Sequence, residues 1–166
     1  MRTRQPTTTA AALEDQRIPL RAKLAAAWTA FMFLYAYVDI LNFFTPGVVR
    51  DILDGKVFEF GLSQTFSTSA LVLMAVPIFM IVLSTTLPAR ANRVTNLVVA
   101  ALYVPVTAFN VVGASWLWFY GLGVALELIL LALIVRYAWT WPRVVAEHVD
   151  HTHHAHHGDH GDRPAR

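Results

Sequence analysis

Apolar residues run along this chain in long blocks separated by short polar clusters. Between Glu59 and Arg90, about 30 residues pass without an Asp, Glu, Lys or Arg, where about 20 suffice for a helix to cross the hydrocarbon of a bilayer. Between Arg93 and Glu127 the uncharged stretch reaches about 33 residues. At about 1.5 Å per residue, one helix of that length would approach 50 Å against a core of about 30 Å, so the chain must turn back. Gly113-Ala114-Ser115 is the small, turn-capable cluster where the break belongs. Trp116 and Trp118 follow it, a residue type favoured at the headgroup level. The pattern predicts four spans, 24–44, 66–87, 94–112 and 116–137, with Pro88-Ala89-Arg90-Ala91-Asn92-Arg93 joining the second to the third. Pro77 and Pro105 fall inside spans, which buried helices tolerate because neighbouring groups re-satisfy the freed carbonyl.

A β-barrel would need alternating segments of about ten residues, and Leu71 to Leu83 and Leu122 to Val135 are almost apolar at every position. The expected fold class is therefore all-α: a four-transmembrane-helix bundle of up-down topology. Arg17, Arg21 and Lys23, then Arg90 and Arg93, then Arg136 and Arg143 fall on one side of it, and Arg50 and Lys56 on the other. This bias of 7 to 2 puts both termini in the cytoplasm by the positive-inside rule. The first external loop, 45–63, opens with Pro46-Gly47. Val48, Val49, Ile52, Leu53 and Val57 then recur at helical spacing around Arg50, Asp51 and Asp54, which predicts a short amphipathic helix ended by Gly55. The chain divides into a disordered tail over 1–20, the transmembrane domain over 21–143 and a second disordered tail over 144–166. Arg2 and Arg4 lead into Thr7-Thr8-Thr9 and not into an apolar run, so no signal peptide is expected.

Composition agrees with this and narrows the chemistry. Of 166 residues, 56% are hydrophobic and 14% charged, against about 25% charged in an ordinary soluble domain. Net charge is +2, without a basic patch interleaved with aromatics, so no nucleic-acid partner is expected. Cysteine is absent, which excludes disulfide scaffolds, thiolate metal sites and cysteine nucleophiles. No histidine lies in any span, so neither a Ser-His-acid arrangement nor a bis-histidine haem can form within the bilayer. The expectation is a non-enzyme without a resident cofactor.

Two acids stand where hydrocarbon penalises them. Asp39 lies in the outer third of the first span and Glu127 near the middle of the fourth, at a cost of about 2.5 to 3.5 kcal/mol for an aspartate at a helix centre. Such residues turn toward the bundle interior and mark function more often than not. No lysine or arginine lies at matching depth; in its protonated form Glu127 is a hydrogen-bond donor rather than a charge. On the third span Asn96, Ala100, Tyr103, Thr107 and Asn110 follow at steps of four, three, four and three, hence on one face. Tyr35, Asp39 and Asn42 share a face of the first span, and Tyr120, Gly123 and Glu127 one of the fourth, where Gly123 admits a close neighbour. The candidate ligand or proton/cation residues are Asp39, Glu127, Asn42, Asn110, Tyr35 and Tyr103, in two tiers lining a space that opens outward. For Asn96 and Thr107 interhelical hydrogen bonding is the expected role.

All seven histidines follow the last span. His151, His153, His154, His156, His157 and His160 form an irregular run without apolar period, expected to be disordered and to hold divalent metal loosely.

Leu34-Tyr35-Ala36-Tyr37-Val38-Asp39-Ile40-Leu41, Pro46-Gly47, Ala91-Asn92-Arg93 with Asn96, and Tyr137-Ala138-Trp139 resemble an uncharacterised family of small bacterial four-helix integral membrane proteins, over residues 24–141. The chain is more distantly similar to DoxX-like membrane proteins, four-helix bundles of similar size. The resemblance implies the fold and the bacterial inner membrane, and no reaction. Two functions follow as expectations. One is a bundle whose carboxyl-lined interior binds a small ligand or passes a proton or cation. The other is a structural or accessory subunit, with homo-oligomerisation or a membrane-protein partner plausible under both.

Overall fold

The computed structural model describes residues 17–57, 60–112 and 116–142. Residues 1–16 of the first expected tail and all of the second, with every histidine, lie outside the described residues, as does Gly113-Ala114-Ser115; the expected first tail ends in the start of α1 at Leu20. Among the described residues the elements run α1 (Leu20–Asn42), α2 (Val48–Leu53), β1 (Lys56–Val57), β2 (Phe60–Gly61), α3 (Gln64–Thr86), α4 (Ala89–Phe109) and α5 (Leu117–Trp139).

Local chemistry sets these limits. After Asn42 the backbone tightens, with Phe43, Phe44 and Thr45 each donating to the carbonyl three residues back. Gly47 then takes a positive φ of 94° at the start of α2, and Gly55 one of 75° beyond its end, both in the region open to glycine at little cost. Ser63 caps α3 by accepting from the Phe66 N–H at 3.1 Å. Leu87 is extended, as the residue before a proline prefers, and Pro88 introduces α4 directly. Pro77 and Pro105 sit inside α3 and α4 without ending them.

The four long helices form a closed ring of neighbours. α1 contacts α3 and α5, and α4 contacts α5 and, over a shorter stretch, α3. Polar contacts tie the start of α1 to the end of α3, where the Arg21 guanidinium donates to the Thr85 carbonyl at 3.1 Å. Arg93 at the start of α4 stacks over the Trp139 ring at the end of α5, 5.7 Å from its centroid. This end is called proximal below. At the opposite, distal end, the Tyr120 hydroxyl of α5 donates to Asn42 Oδ1 of α1.

The core is centred on α1 and α4. Trp28, Phe31 and Tyr103 meet edge to face in all three pairs, with centroids 5.8 to 6.3 Å apart, a geometry that aligns ring edges with ring faces. Leu24, Met80, Leu131 and Ile134 close around them.

Three differences from the sequence expectations stand out. The segment 88–93, expected as a connector, is helical from Ala89, because Pro88 suits the threshold of a helix, where its missing N–H is not needed. The third helix accordingly spans Ala89–Phe109 and not 94–112. The first loop holds, besides the amphipathic α2, a hairpin pairing Lys56 with Gly61 and Val57 with Phe60, extended by Leu62 N–H to Gly55 carbonyl at 2.7 Å. Among the described residues, three helices, α1, α3 and α5, are long and apolar enough to cross a membrane. α4 falls short because its first turns carry Arg90, Asn92, Arg93 and Asn96.

Candidate functional site

Four polar residues of α4 project inward: Asn92, Asn96, Tyr103 and Thr107 are all buried. They divide into a satisfied set and an unsatisfied one. Toward the proximal end Asn96 is saturated. Its Oδ1 accepts from Trp28 Nε1 at 2.7 Å and from Ser84 Oγ at 3.3 Å. Its Nδ2 donates to the Asn92 carbonyl at 2.9 Å and to Asn92 Oδ1 at 2.6 Å. Asn92 in turn donates to the Ser84 carbonyl at 2.6 Å. This network joins α1, α3 and α4 and uses the capacity of the central amide fully. Its chemistry is structural: an amide with every lone pair and proton engaged has nothing left for a ligand.

Toward the distal end, Asn110 Nδ2 donates to the Tyr35 hydroxyl at 3.3 Å, and Tyr120 to Asn42. Tyr103 donates to the Leu73 carbonyl of α3. Of the six candidate residues, Tyr35 and Asn110 are thus brought together, Asn42 pairs with a tyrosine that had been placed only on the Glu127 face, and Tyr103 is held by backbone.

Glu127 differs from all of these. It is 1% exposed, and its Oε2 has no hydrogen-bond partner. Thr107, 0% exposed, faces it from α4 as its hydrogen-bonding neighbour, although the two groups stop short of full hydrogen-bond geometry. Thr29, Thr86 and Thr140 each return the hydroxyl to a carbonyl four residues back in their own helix, the usual outlet for a helical threonine. Thr107 does not. A buried carboxyl and a buried hydroxyl therefore face each other with Oε2 left unsatisfied, which is uncommon, since buried polar groups are nearly always paired.

Asp39 is more exposed than Glu127, and it lies about 40° around α1 from buried Tyr35. It stands within electrostatic reach of Tyr35, Tyr120 and Glu127. Gly123 admits α1 as expected, and the neighbour is Val38.

Sequence reasoning missed Asn92 and Ser84 in the satisfied network, and buried Thr45 in the turn after α1. The Asn92-to-Asn96 spacing of four was the available signal for the first. Among the described residues no group of three or more His, Asp or Glu side chains is placed to hold a metal ion.

Residues 14–146 match a family of unknown function, DUF6326. The chain belongs to that family. The match contains every helix and strand described above, and so both the saturated Asn92–Asn96 network and the Glu127–Thr107 pair lie within the DUF6326 region. This agrees with the nearer resemblance drawn from the sequence, to an uncharacterised family. No curated protein and no solved structure matches the chain.

Proposed function

We propose that this DUF6326 protein is a four-span inner-membrane bundle of up-down topology, with both termini cytoplasmic, that binds a small hydrogen-bonding molecule or a cation at Glu127 and Thr107. Three helices have the length and hydropathy to cross a bilayer. The fourth span is argued from which face is polar: every exposed residue of α4 from Val94 to Phe109 is apolar, and its buried face carries the asparagines, tyrosine and threonine. The basic residues of the proximal end then mark the cytoplasmic side.

The Glu127 carboxyl, buried with Oε2 unsatisfied, carries the functional reading. An acid kept without a cation beside it inside a bilayer protein destabilises it, and such residues mark binding or transfer sites. Trp28, Phe31 and Tyr103 fill the interior between the Asn96 network and Tyr35. The reading is therefore a site entered from the distal, external side, with binding favoured over passage. We assign it no catalytic role and no resident cofactor.

Dicyclohexylcarbodiimide, an apolar reagent that modifies carboxylic acids within bilayers, tests the site in the protein purified in mild detergent. One adduct mapping to Glu127 is expected, absent in Glu127→Gln and retained in Asp39→Asn. A folded protein whose Glu127 never reacts overturns the reading.

A second reading, an accessory subunit of a membrane complex, draws on the distal rim. There Phe44, Leu53 and Trp118 are 77%, 81% and 93% exposed. Recovery of the protein from mild detergent as a lone monomer after crosslinking counts against it.

A further inference from the structure

Between α4 and α5 a groove of about 380 Å³ opens on the outer surface of the bundle. Its wall is apolar, formed by Val104 of α4 with Leu128, Leu131, Ala132 and Val135 of α5. At its proximal end the lining changes to Arg136, Trp139 and Thr140. The Trp139 ring is also the one under the Arg93 guanidinium, whose Nε is buried without a hydrogen-bond partner. One cation thus lies over this tryptophan and a second, Arg136, lines the same end of the apolar groove.

We infer that this groove binds one anionic phospholipid of the cytoplasmic leaflet, an acyl chain lying along Val104 to Val135 and the phosphate at Arg136. The inference rests on the four-span reading above and is independent of the Glu127 site. Length supports it. Leu128 to Arg136 covers about 12 Å of helix, within the half-thickness of about 15 Å that one leaflet contributes to the hydrocarbon. The apolar lining therefore ends near the level where a headgroup begins. Charge supports it as well. Arginine is the side chain best matched to a phosphate, through planar paired donors. Trp139, beneath the Arg93 guanidinium, seats the glycerol level, where amphipathic rings are favoured. Basic pockets between helices on the cytoplasmic side recognise anionic headgroups in this manner. Zwitterionic lipid fits the same apolar wall but carries an ammonium that Arg136 and Arg93 repel.

Native mass spectrometry of the full chain in detergent micelles, with equal added phosphatidylglycerol and phosphatidylcholine of the same acyl chains, tests this. Wild type is expected to retain phosphatidylglycerol about tenfold over phosphatidylcholine. Arg136→Gln is expected to bring the ratio near one, Arg136→Lys to keep most of it, and Ala132→Trp, which fills the wall, to lose both adducts. Equal retention of the two lipids by wild type overturns the site. So does an unchanged preference in Arg136→Gln, or an equal fall in Arg21→Gln, which would report diffuse charge. Failure of the membrane reading shows separately and first, as a folded, monodisperse protein in buffer without detergent.

Discussion

Gly123 of α5 faces the Val38 side chain of α1 so closely that a Cβ at Gly123 would lie 3.0 Å from Val38 Cγ2. This contact sits between the two candidate acids along their helices, Asp39 following Val38 and Glu127 one turn after Gly123. The approach of α1 and α5 therefore sets how Glu127 is enclosed.

Gly123→Ala is expected to destabilise the protein by about 1 kcal/mol. An alanine gains up to about 1 kcal/mol in helix propensity, but overpacking costs about 1–3 kcal/mol, and Val38, β-branched and held to one rotamer in a helix, cannot swing aside. Thermal unfolding in detergent checks it. The Val38→Ala, Gly123→Ala double variant should recover most of the loss, and Gly121→Ala, with nothing within 4 Å of its Cβ, should not lower the melting temperature.

The saturated amide at Asn96 leads to a second expectation. Asn96→Leu strands the Trp28 N–H, the Ser84 hydroxyl and Asn92 Oδ1 together, each buried. Leaving a buried donor or acceptor unsatisfied costs about 1–3 kcal/mol, so the loss should exceed 2 kcal/mol or so. Asn110→Leu breaks a single half-buried bond to Tyr35 and should cost about 0.6 kcal/mol, the average for a polar pair between membrane helices. Similar unfolding midpoints for the two variants would refute the difference.

The inward face of α4 was legible because Asn96, Tyr103, Thr107 and Asn110 interrupt an otherwise apolar helix at helical spacing, and that period determines a face. α3 offered no such contrast. It is apolar nearly all round, so the burial of Pro77, Met80 and Ser84 is decided by the neighbours it meets. On α5 only Tyr120, Gly123 and Glu127 gave direction. Asn92 was hidden by its flanking arginines, which made a helical first turn read as a connector. The hairpin at Lys56 and Phe60 has strands of two residues and no Asn-Gly or Asp-Gly turn signal, too little pattern to register. The spacing of Tyr35, Asp39 and Asn42 gave a shared face but not a depth of burial, because near the end of a helix one residue position separates the interior from the rim.

Glu127→Leu is expected to raise stability while removing carbodiimide reactivity. Replacing a buried carboxyl that has no cation beside it with an apolar side chain of similar size relieves a desolvation penalty of about 1–3 kcal/mol, more than the single contact with Thr107 returns, and residues kept for function commonly oppose stability in this way. Melting temperature and labelling measured on the same sample separate the two effects. A less stable Glu127→Leu protein would mean that the acid is a structural bond-maker and not a site.

The last expectation decides whether α4 crosses the membrane. The chain has no cysteine, so single substitutions report single positions. Leu53→Cys on α2 and Thr140→Cys after α5 both occupy exposed positions, separated by α3, α4 and α5. Three crossings put them on opposite faces, whereas crossing by α3 and α5 alone puts them on the same face. With a membrane-impermeant maleimide on intact spheroplasts, Leu53→Cys should label directly and Thr140→Cys only after permeabilisation. The reverse pattern would keep the four spans and invert the orientation drawn from Arg90, Arg93 and Arg136. Labelling of both from one side would remove α4 from the bilayer. Its buried asparagines would then have to be explained without the hydrocarbon that makes their inward orientation obligatory.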